Sequence, residues 1–163
     1  MTKTPTESRG GAGDLLSPTL QERADLPDGP APWRLGSQFY VAALGGSLAV
    51  TAIALLNARR HAMPQRARVG IAAIGLITFT AVLVVAALTT AGAGDDTPSG
   101  LRVAVQLVSV AGWGLMFLIQ RPYDRVFEAF GDREYDSLWV LGLVAVILLG
   151  AVQLVAVLGV RGY

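Results

Sequence analysis

Apolar positions in this chain run on for about twenty residues at a time, instead of recurring at the period of a surface helix or strand. From Leu35 to Leu56 every residue is apolar or small except Ser37, Gln38, Ser47 and Thr51. Val69 to Thr90 has no ionisable side chain, and its hydroxyls are Thr78, Thr80, Thr89 and Thr90. Leu101 to Ile119 carries one charge, Arg102, at its end, where a long side chain can snorkel to the headgroups. Leu138 to Val160 is uncharged, with Gln153 as its only strongly polar residue. About 20 such residues at 1.5 Å each cross a hydrocarbon core. Barrel strands would be half that length and would alternate, which these do not. The pattern predicts an all-α polytopic membrane protein. Its four transmembrane helices, 35–56, 69–90, 101–119 and 138–160, form two consecutive helical hairpins within a domain of residues 35–163.

What lies between these runs is polar. Residues 1–34 are rich in Pro, Gly, Ser, Thr and acidic side chains and show no repeated apolar face, so a disordered tail is expected. This tail does not read as a secretory signal, because no charged n-region abuts the apolar run. Ala91 to Gly100, AGAGDDTPSG, has turn composition and is too polar to lie unpaired in lipid. Asp95 and Asp96 are turn residues in this reading.

Composition agrees with the pattern: 53% of residues are hydrophobic and 15% charged, against about 25% charged in ordinary soluble domains. The net charge of +1 argues against nucleic acid as a partner, since counterion release needs clustered cations on one folded face. The absence of cysteine removes disulfides, thiolate metal sites and cysteine nucleophiles. A single lysine beside twelve arginines, with abundant Ala, Gly and Val, suggests a GC-rich bacterial genome.

Arginine placement predicts orientation. The loop NARRHAMPQRAR contributes Arg59, Arg60, Arg66 and Arg68, and the segment 121–139 adds Arg121, Arg125 and Arg133. The opposite loop and the carboxy terminus offer Arg102 and Arg161. Basic loops stay in the cytoplasm, which puts both hairpin loops inside and both termini outside the cell membrane. Arg23 and Arg34 in the tail pull against that placement of the amino terminus.

The segment LGSQFYVAALGGSLAVTAIALLNARR, with its Leu44-Gly45-Gly46-Ser47-Leu48-Ala49 core and Asn57 before a basic loop, resembles the opening helix of a set of small bacterial four-helix membrane proteins. Those proteins have no assigned activity. Their core typically reads Leu-Gly-Gly-Pro-Leu-Ala, and Ser47 here departs from the proline. The charged turn from Phe127 to Trp139, closing on Ser137-Leu138-Trp139, is similar to theirs as well. The resemblance implies four spans and brings no catalytic residue or ligand.

Within the first span Ala42 and Gly46, and Ala43 and Ser47, stand four apart, a spacing that lets helix backbones approach closely. Gly112 and Gly114 beside Trp113 read the same way, as packing inside one bundle, with a second copy or a partner subunit as the alternative neighbour. Tyr123, Val126, Phe127 and Phe130 fall at i, i+3, i+4 and i+7. They predict a short interfacial helix ended by Gly131, with Tyr135 and Trp139 at headgroup level and Asp136 or Ser137 capping the fourth span.

Chemistry is sparse. Asp132, Glu134 and Asp136 alternate, yet they lack the glycine and terminal glutamate of a calcium loop. His61 is the only histidine and stands among arginines, so neither a histidine metal site nor a Ser-His-Asp triad assembles. No charge lies at mid-depth in any span, where ion-coupled carriers keep them. Gln106 and Gln153 read as interhelical hydrogen-bonding residues. No phosphate-cradling loop, zinc-protease helix or nucleophile elbow is present. The expectation is a non-enzymatic interaction or accessory subunit of a bacterial inner membrane, without metal or cofactor. Its partners would be the lipid bilayer and a membrane or cytosolic protein. The rival is a small oligomeric transporter or channel with an uncharged polar pathway.

Overall fold

A computed structural model describes residues 30–92, 98–130 and 134–162. Among them there is no strand, only an isolated bridge between Trp33 and Asp136. A 3-10 turn at Leu35–Ser37 leads into α1, Gln38–Arg60; α2 is Gln65–Gly92, α3 Pro98–Phe130 and α4 Trp139–Arg161. All four are long and apolar enough to cross a membrane. α1 closes on Ala62, at φ 49°, with Met63 N–H bonded to the Ala58 carbonyl at 3.0 Å and Pro64 following. This is the left-handed termination that proline commonly succeeds.

α1 does not run straight. Gly46 sits at φ 77°, ψ −167°, inside its 23 residues and outside helical space. A straight helix of that length would hold its ends about 34 Å apart. Instead, Trp33 N–H donates to Asn57 Oδ1 at 2.8 Å, and the Arg60 guanidinium lies 3.8 Å from the centre of the Trp33 ring. The chain therefore doubles back at Gly46, with arms of about 12 and 21 Å over 38–45 and 47–60, short of a 30 Å hydrocarbon core. Val41 and Ala42 of one arm pack on Ala49, Val50 and Ile53 of the other, with Trp33 and Leu138 closing the cluster. A second cluster joins Ala54, Ala58, Met63, Ile71 and Met116 where the returning arm meets α2 and α3. The third, Val82, Ala86, Leu101 and Val157, joins α2, α3 and α4 in the far half and contains no residue of α1.

Two expectations change. The described amino-terminal end, Pro30 to Trp33, lies at the same end of the bundle as both charged loops, because Trp33 is bonded to Asn57 and Asp136 N–H to the Pro32 carbonyl at 3.1 Å. For residues 30–33 this differs from a placement opposite those loops. The separate interfacial helix is also absent: α3 continues unbroken through Pro122 to Phe130. Along this extension Tyr123 and Phe127 are half-buried while Val126 faces out, and Trp139 is 84% exposed. Residues 1–29, the loop at 93–97 with Asp95 and Asp96, and 131–133 with Gly131 and Asp132 lie outside the described residues, as does the Phe130 side chain.

Candidate functional site

The fold-back leaves cut helix ends at mid-depth, where no water is at hand to satisfy them. Two glutamines from other helices do so. Gln153 of α4 presents Oε1 to Leu48 N–H at 3.2 Å and to Ser47 Oγ at 3.0 Å, capping the start of the returning arm. Gln106 of α3 donates from Nε2 to the Ala43 carbonyl at 3.2 Å, capping the end of the entering arm. Both residues were expected to bond between helices, and they do so at a break the sequence pattern does not announce. Gly46 is required twice over, since φ 77° disfavours any side chain and a Cβ would lie 2.6 Å from Gln153 Oε1. Beneath this tip, between α3 and α4, is a cavity of about 530 Å³. It is walled by residues 43–46, by α3 from Leu101 to Ser109 and by α4 from Val146 to Leu158.

The open end of the hairpin is held by a buried polar chain. Asn57 exchanges two bonds with Trp33, Oδ1 accepting at 2.8 Å and Nδ2 donating to the Trp33 carbonyl at 3.2 Å. Nδ2 also reaches Gln120 Oε1 at 3.4 Å, and Gln120 Nε2 reaches Gln38 Oε1 at 3.5 Å. Arg60 Nη1 donates to the Ala31 carbonyl at 2.6 Å and to Asp136 Oδ2 at 2.5 Å while its guanidinium stacks on Trp33. Asp136 is thus an ion-pair partner, while Ser137 Oγ accepts from Trp139 N–H at 3.4 Å at the start of α4. Beside this network, Tyr135 donates to Asp124 Oδ1 at 3.2 Å, and His61 Nε2 stands 3.8 Å from the same oxygen. Burial pushes the His61 imidazole down to about 4, so it is neutral at pH 7. Burial, followed by the Asp124 charge and hydrogen bond, pushes the Tyr135 phenol up to about 12.

The sequence-predicted residues separate accordingly. Ala42 and Ser47 are fully buried in the hairpin, and Gly46 makes its turn. Gly112 seats α2, since a Cβ there would lie 2.5 Å from Thr78 Oγ1. Gly114 has open space around it and seats nothing. Arg59 and Arg66 are exposed and Arg68 half-buried at the loop end, whereas Arg60 is taken up inside the hairpin base. Phe127 touches the His61 and Tyr135 rings at 6.0 and 5.2 Å between centroids.

Trp33, Gln38, Asn57 and Gln120 are residues that sequence reasoning missed. Their signal was polar side chains at the edges of apolar runs, which read equally well as span boundaries. Among the described residues no group of three or more His, Asp or Glu side chains is placed to hold a metal ion. Comparison of the chain with known protein families, curated proteins and solved structures returns no match.

Proposed function

We propose that the protein is a non-enzymatic accessory component of a bacterial cell membrane, in which α2, α3 and α4 cross and α1 enters and leaves on the cytoplasmic side. One observation carries this reading: Trp33 is clasped to Asn57, so Arg34 joins Arg59, Arg66, Arg68, Arg121 and Arg125 at one end of the bundle. The opposite end offers Arg102 and Arg161. Cation retention then favours a cytoplasmic arginine-rich end without any need to move the tail across. That end suits anionic headgroups and a protein partner.

The chain has no cysteine, so single cysteines at Gly36, Arg66 and Gly162 report sidedness through a membrane-impermeant maleimide. Gly36→Cys and Arg66→Cys are expected to label together from the cytoplasmic face and Gly162→Cys from the other. Labelling of positions 36 and 66 from opposite faces would sink the arrangement. Mild-detergent purification is expected to bring an unrelated protein in stable ratio. A transporter remains the second reading, because Gln106 and Gln153 both line the cavity. The hairpin's packed apolar interior stands between that cavity and the arginine-rich end, which weighs against a through-path. Selective solute flux into vesicles holding only this chain, lost in Gln106 or Gln153 variants, would reverse the preference.

A further inference from the structure

We infer that the cavity beneath the Gly46 tip is a binding site for one chain of an anionic phospholipid, its headgroup held by Arg102. The volume of about 530 Å³ lies within the usual range for ligand sites, about 300–1,000 Å³.

Its chemistry follows from the lining. Arg102 is the sole charged residue of the wall, at the end of α3 farthest from the arginine-rich face, and is exposed. Deeper in, one polar atom of each side chain is turned to the protein: Ser109 Oγ to the Val105 carbonyl at 2.8 Å, Gln106 Nε2 to Ala43, and Gln153 Oε1 to Ser47 and Leu48. What faces the interior between them is Leu101, Val105, Leu154 and Val157. A cation at the rim above an aliphatic slot matches a phosphate above an acyl chain. The site depends on the fold-back alone and is independent of which side of the membrane the rim faces.

The test uses the full chain, purified in mild detergent and incubated with phosphatidylglycerol and phosphatidylcholine, each carrying a photoactivatable group near the chain end. Phosphatidylglycerol is expected to crosslink to the α3 segment 101–109 or the α4 segment 150–158 in preference to phosphatidylcholine. Arg102→Gln is expected to cut that preference roughly tenfold, the scale of one charge-assisted hydrogen bond. Leu154→Trp, at an exposed wall position, is expected to fill the slot and abolish the adducts with unchanged thermal stability. Arg59→Gln with Arg66→Gln is expected to leave these adducts intact, which separates the site from headgroup binding at the arginine-rich end. Equal labelling by the two lipids, adducts confined to the 57–68 loop, or an Arg102→Gln protein that labels as wild type would each overturn the proposal.

Discussion

The two ends of the folded first segment solve the same problem with different means. At the tip, helix ends cut off in an apolar layer are satisfied by Gln106 and Gln153, one side chain for each arm. At the base, Asn57, Gln38, Gln120, Arg60, Asp136 and Trp33 share a connected set of bonds beside charged loops. A lost bond at the tip leaves a donor buried without a second partner, while at the base the other bonds of the buried set, Arg60 to Ala31 and Asp136 among them, still hold the hairpin closed. The tip is therefore brittle and the base tolerant.

Thermal unfolding of the full chain in detergent measures that contrast. Gly46→Ala combines left-handed backbone strain with overlap against the Gln153 amide, and a loss of about 2–5 kcal/mol is expected. Wild-type stability in this variant would mean that α1 does not turn there. Gln153→Leu strands Leu48 N–H and the Ser47 hydroxyl, for which about 2–4 kcal/mol is expected. Asn57→Ala opens the base but keeps the Arg60 bridge to Ala31 and Asp136, so about 1–2 kcal/mol is expected. An Asn57→Ala loss larger than that of Gln153→Leu would invert the comparison.

The smallest effect is on pH dependence at the base. His61 titrates near 4 when folded against 6.5 ordinarily, so the folded state disfavours its proton. Its contribution is complete above pH 6.5 and is lost as pH falls toward 4. Melting temperature is expected to fall through that window and to fall less in His61→Gln. Equal slopes for the two proteins would remove His61 from the account.

Much of the fold was legible. Uninterrupted apolar runs located all four helical stretches, and isolated glutamines in apolar sequence indicated bonds between helices. The fold-back was not legible for a specific reason. Gly45, Gly46 and Ser47 suit both a close helix crossing and a helix break, and the sequence spacing that favours the first is identical in the second. The deciding partner, Gln153, is more than a hundred residues away in the chain. The same omission bears on Arg34, which a straight first stretch puts at the end opposite the basic loops and the fold-back puts beside them. Gly114 shows the converse limit, a small residue at helical spacing with no neighbour to receive.

The Gln153 cap also sets an order of events during biogenesis. Ser47 and Leu48 leave the ribosome long before the residue that completes them, so the folded-back first segment gains this cap only once α4 has been synthesised. The last helix to be made thereby completes the first.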